Sequence, residues 1–95
     1  MRQANRQSFF VYVLICRDGR GVRTYVGWTL DPDRRLAQHN SGRGARSTRG
    51  RAWRVLHLEQ YASRREAMSR EWHLKRDRAF RKRLVQDWLA GANPA

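Results

Sequence analysis

Ninety-five residues carry a formal charge of +13, from 21 Lys and Arg against 8 Asp and Glu, with a pI near 11.7. A field of that sign attracts polyanions by releasing their condensed counterions, so nucleic acid is the expected partner, whereas no apolar run is long enough to span a bilayer and a membrane is set aside. Hydrophobic residues at 40% exclude a wholly disordered basic tail, and a chain of this length makes one compact domain burying roughly 60 to 68% of its unfolded surface.

The polar start MRQANRQ makes residues 1–8 a flexible end, 92–95 are another, and 9–91 form the domain. From Phe9 to Cys16 the run FFVYVLIC is continuously apolar, which predicts a central strand covered on both faces. Cys16, the single cysteine, excludes an internal disulfide and a Cys-rich zinc site; it reads as a small buried hydrophobe in a reducing, cytoplasmic setting. RDGRG supplies a turn, and Arg23–Thr29 returns as the second strand of an antiparallel hairpin. Asp31-Pro32 opens a helix that runs to about Asn40. The stretch SGRGARSTRGRA, residues 41–52, has no periodicity and reads as a mobile basic loop. Trp53–Tyr61 is a third strand. Ser63 and Glu66 form a capping box for a second helix through Arg76, and a third helix begins at Asp77, with Phe80, Leu84 and Trp88 at helical spacing and Gly91 at its end. The fold class is α+β: a small, three-stranded, mainly antiparallel sheet flanked by helices, in the order β-β-α-β-α-α. Strand order is left open by the pattern.

Phe10-Val11-Tyr12, then Tyr25-Val26-Gly27, then Asp33-Arg34-Arg35-Leu36 with His39-Asn40 resemble the GIY-YIG nuclease family, in particular its short, single-domain bacterial members. Their pattern YxGxTxDxxRRLxxHNSGxGAxxTRG recurs from Tyr25 through Gly50, and the resemblance covers roughly 9–75. Phe10 and Val11 stand where the family name has Gly and Ile, and only Tyr12 carries chemistry there. The resemblance implies a metal-dependent endonuclease that hydrolyses DNA phosphodiester bonds, with RNA not excluded and any protein partner unknown. A domain this small leaves no room for a specificity module, which points to single-stranded or branched DNA.

The expected catalytic residues are Tyr12, Tyr25, Arg35, His39 and Glu71. Adjacent strands can bring both phenols to one site, and the resemblance implies that Tyr12 activates water and Tyr25 orients it, although the roles could be exchanged. A tyrosine serves as base only if positive charge, from Arg35 or a metal, lowers its pKa towards neutrality. Arg35 and His39, four residues apart, share one helix face; Arg35 would hold the scissile phosphate, and His39 would donate a hydrogen bond or assist proton transfer. Glu71 falls beside the inward stripe of the second helix, and the run from Glu66 to Glu71 matches the family segment E-A-L-x-x-E, whose last Glu is the metal ligand. One carboxylate with waters and phosphate oxygens suits Mg²⁺ or Mn²⁺. Asn40 would orient the site or contact substrate, and Arg43, Arg46, Arg49 and Arg51 would contact phosphates.

Each residue also has a plainer reading: packed tyrosines, a solvated arginine face with a surface His39, a Glu71–Lys75 ion pair on an exposed face, and an Asn40 that merely ends its helix. His57 and His73 read as structural, and Trp28 and Trp53 as core residues before base-stacking ones. Two functions compete with the nuclease. One is a non-catalytic nucleic-acid-binding module, and the other is a nuclease subunit that acts only with a partner.

Overall fold

The structure is a computed structural model that describes residues 7–19 and 21–91. The expected flexible ends therefore lie, except for residues 7 and 8, outside the described residues. The elements are β1 (Phe9–Asp18), β2 (Gly21–Thr29), α1 (Pro32–Asn40), a 3₁₀ turn (Arg46–Thr48), β3 (Arg54–Tyr61), α2 (Arg64–Arg76) and α3 (Arg78–Ala90). The sheet order is β2-β1-β3, antiparallel on both sides of β1.

The most apolar strand takes the centre because only there are both faces covered, and Val11 through Cys16 are all buried. Alternation sorts its side chains into two half-cores. Val11 and Val13 pack with Val26 beneath Ala67 and Leu74 of α2, joined at the margin by Phe80 and Leu84 of α3. Tyr12, Leu14 and Cys16 face the other way, against Trp53, Tyr25 and Leu36 of α1. The hairpin is tighter than the sequence suggests. Asp18 pairs with Gly21, and Gly19 takes φ +66°, a conformation open to glycine that closes a short turn and extends both strands.

The helix starts follow the capping residues. Asp31 Oδ1 accepts from the Arg34 N–H at 3.1 Å with Pro32 in the first turn, Ser63 Oγ accepts from the Glu66 N–H, and Asp77 Oδ1 accepts from the Phe80 N–H. Gly91 follows α3, at φ +151°. β3 begins one residue later than expected because both backbone polar groups of Trp53 are taken by a side chain: its N–H donates to Asn40 Oδ1 at 2.6 Å and its carbonyl accepts from Asn40 Nδ2 at 3.1 Å. The loop read as mobile is instead pinned. Thr48 is fully buried, and the Trp53 indole N–H donates to the Thr48 carbonyl at 2.9 Å. Small residues make this possible, since Gly44 lies directly over the His39 ring, where any Cβ would collide.

Candidate active site

β1 and β2 place Tyr12 opposite Gly27 and Tyr25 opposite Leu14, so the two phenols are diagonal neighbours on one face, with ring centroids 6.4 Å apart. Gly27 is required by Tyr12. A Cβ at residue 27 would occupy the space of the phenol, so the glycine of the Tyr-Val-Gly triplet is the floor on which Tyr12 lies. α1 then delivers His39 from above: its ring lies 5.9 Å from Tyr12 and 5.0 Å from Tyr25, and its Nε2 is 2.9 Å from Tyr12 Oη. His39 is completely buried. The surface-histidine reading is excluded.

Arg35, one turn earlier on the same helix, is half-buried, and its Nη1 donates to Gln38 Oε1 at 2.9 Å. Its positive charge acts on Tyr12. Glu71 approaches from α2, the helix on the other face of the sheet. The i,i+4 pair with Lys75 does form, at 3.5 Å, but not on an exposed face, because the Glu71 side chain keeps only 22% of its surface and its charge is felt at Tyr12. β1, β2 and α1 thus meet at one phenol, and α2 acts on it through charge.

The electrostatics differ from the expectation for Tyr12. Burial raises its pKa, and the nearby Arg35 guanidinium, which pulls it down, does not outweigh burial aided by Tyr25 and Glu71. Within the protein alone Tyr12 is a neutral phenol. His39 moves the opposite way: burial, then the neighbouring Arg35 charge, lowers its pKa and keeps the imidazole neutral. A neutral phenol bonded to a neutral imidazole is an arrangement through which a proton can pass.

Asn40 lies beside this group but is committed to Trp53, clipping the end of α1 to the start of β3. Arg43, Arg46 and Arg49 are exposed, while Arg51 is half-buried with its Nη2 3.6 Å from Asp18 Oδ1. Trp53 is core, at 3% exposure, and Cys16 is buried in the same half-core. His57 belongs to a separate network on the far face of β3, its Nε2 donating to the Glu59 carboxylate at 2.7 Å. Beside Arg35 an open groove of about 380 Å³ runs between the end of β2 and α1, lined by Trp28, Leu30, Arg34 and Gln38 among others.

Two parts of the site escaped the sequence reading: Gly27 as the seat of Tyr12, and Thr48, whose Oγ1 is 2.8 Å from His39 Nδ1. The signal for Thr48 was one β-branched hydroxyl residue inside a run of Gly, Ser and Arg, in the Thr-Arg-Gly of the matched pattern.

Residues 8–84 match the GIY-YIG catalytic domain. The chain belongs to the GIY-YIG family. As a GIY-YIG protein it has a domain of nuclease type, and several relatives are named only as UPF0213 proteins. One from Streptococcus pneumoniae serotype 4 is 50% identical over 68 residues, 70% of this chain and 66% of that protein. Another, from Halobacterium salinarum, is 48% identical over 68% of this chain and 82% of its own. The solution NMR structure of the UPF0213 protein BH0048 from Bacillus halodurans is 39% identical, covers 90% of this chain and 88% of its own, and gives a TM-score of 0.49. The chain spans just under two-thirds of the length of the pneumococcal relative. No helix among the described residues of this GIY-YIG protein is long and apolar enough to cross a membrane.

Proposed function

We propose that this GIY-YIG protein is a metal-dependent DNA endonuclease, acting by preference on single-stranded or branched DNA. One observation carries the reading: a buried Tyr12 phenol hydrogen-bonded to the buried His39 ring, with the charges of Arg35 and Glu71 acting on it. Tyrosines that merely pack do not hold a buried phenol in hydrogen-bond contact with a buried imidazole under the charge of a guanidinium.

In this reading Arg35 binds the non-bridging oxygens of the scissile phosphate and opposes the charge that builds on them in the transition state. Tyr12 takes the proton of the attacking water, and Tyr25, beside it, orients that water. Glu71 would hold a single Mg²⁺ or Mn²⁺. No group of three or more His, Cys, Asp or Glu is assembled for a metal among the described residues, and a lone carboxylate suits a hard cation that takes its remaining ligands from water and phosphate. Such an ion, when bound, supplies Lewis-acid stabilisation of the departing 3′ oxygen. The groove beside Arg35 seats the adjoining nucleotide, and Arg43, Arg46 and Arg49 hold phosphates along the strand.

The test is a cleavage panel of single-stranded, duplex and branched DNA in Mg²⁺, Mn²⁺ or EDTA. Cutting is expected with either cation, strongest on the unpaired or branched substrates, and lost in EDTA. Salt-sensitive binding without cutting under any of these conditions would replace the enzyme by a non-catalytic binding module.

A further inference from the structure

The Thr48 hydroxyl has one hydrogen, and the geometry shows where it goes. Thr48 Oγ1 lies 2.7 Å from the Ala45 carbonyl oxygen, which can only accept. Towards His39 Nδ1, 2.8 Å away, the same hydroxyl must therefore act as acceptor, which makes Nδ1 the protonated nitrogen of the neutral ring. Nε2 is then bare. Its partner at 2.9 Å is Tyr12 Oη, which must donate to it.

We infer that Thr48 is a positioning residue that holds His39 in its Nδ1-protonated tautomer, so that the proton path runs from water to Tyr12 and from Tyr12 to His39 Nε2. The inference deepens the proposed nuclease mechanism and rests on it for its catalytic part. In the step, an O–H bond of the attacking water breaks as a new O–H bond forms on Tyr12, while the original Tyr12 proton passes to His39 Nε2. The water oxygen bonds to phosphorus as the P–O3′ bond breaks. The departing oxygen takes a proton from bulk water, and His39 later returns its extra proton to solvent.

The surroundings agree with this direction. His39 is faced by Tyr12 from β1, Tyr25 from β2, Arg35 from its own helix, and Gly44 and Thr48 from the loop, while Glu71 of α2 acts on Tyr12. Among the described residues the charge that acts on its ring is that of Arg35, which with burial favours a neutral histidine able to receive a proton. Because Thr48 stands between Arg46 and Arg49, the loop that meets phosphates also sets the tautomer of the base.

The test is a long-range ¹H–¹⁵N spectrum of the histidine rings in the uniformly ¹⁵N-labelled full chain near neutral pH, with His39 identified by the signal missing in His39→Gln. The expected pattern for His39 is a protonated Nδ1 and an unprotonated Nε2. Thr48→Val should shift that signature towards the other tautomer and lower kcat about tenfold or more, with KM for DNA changed less than about twofold; Thr48→Ser should restore both. A protonated Nε2 in the unsubstituted protein, or an unchanged His39 signature in Thr48→Val, would overturn the proposal. The reading on the unsubstituted protein decides the matter even if Thr48→Val fails to fold. A protein that cuts no DNA but shows the expected tautomer would sink the nuclease reading and leave the role of Thr48 on His39 standing.

Discussion

Tyr12 and Gly27 face each other across the β1–β2 ladder, and the phenol fills the volume that any other residue at 27 would need. Gly27→Ala should therefore displace the phenol, costing about 1–3 kcal/mol of stability and most of the cleavage rate. Chemical denaturation read beside a cleavage assay checks both, and full activity in a stable Gly27→Ala protein would show that Tyr12 can work elsewhere. Glu71 is tested differently, because it is proposed to act on the transition state. Glu71→Ala should lower cleavage at least about a hundredfold while leaving DNA affinity within a fewfold. An equal loss of binding would make Glu71 a structural residue of α2 instead.

At the scale of elements, the loop between α1 and β3 does two jobs with different residues. Its buried side, through Gly44 and Thr48, closes over His39; its exposed side presents Arg43, Arg46 and Arg49. Replacing those three arginines by Ala should weaken DNA binding and flatten its dependence on log salt by up to about three units, roughly one per phosphate contact. Arg51→Ala should change that slope least, since Asp18 already engages its guanidinium. A titration series in increasing salt separates the two, and equal slopes would remove the distinction. Asn40 works as a clip between elements, and Asn40→Ala leaves the buried Trp53 backbone polar groups without partners. Thermal or denaturant unfolding should show a loss of about 1–3 kcal/mol.

Across the whole molecule, the layer opposite the site is tied together by Glu59. Burial alone would raise its pKa, but hydrogen bonds from Arg70, Tyr61 and His57 outweigh that and hold it down to about 2 from an ordinary 4.5. A carboxyl with a depressed folded pKa contributes stability that is fully present above its unfolded value and lost as pH falls through the folded one. Stability should therefore drop between about pH 4.5 and pH 2, by an amount of order 3 kcal/mol at most for this group, and Glu59→Gln should flatten that part of the curve. Unfolding midpoints measured through the range decide it. An unchanged slope in Glu59→Gln would assign the acid sensitivity to other groups.

Local chemistry was legible in the sequence: the apolar run of β1, the caps Asp31 and Ser63, the hairpin, and the i,i+4 spacing that puts Arg35 and His39 on one face each follow from a residue and its near neighbours. The five expected site residues could be named because their spacing matched a known pattern. What they do to one another was decided only in three dimensions. The pKa of Tyr12 is raised because the packed chain buries the phenol, and no linear pattern records depth. The same holds for Thr48. Nothing in its neighbours marks a hydroxyl that will orient a histidine nine residues away, because that role exists only once Gly44 lets the loop close on the ring and the donors and acceptors have been paired off.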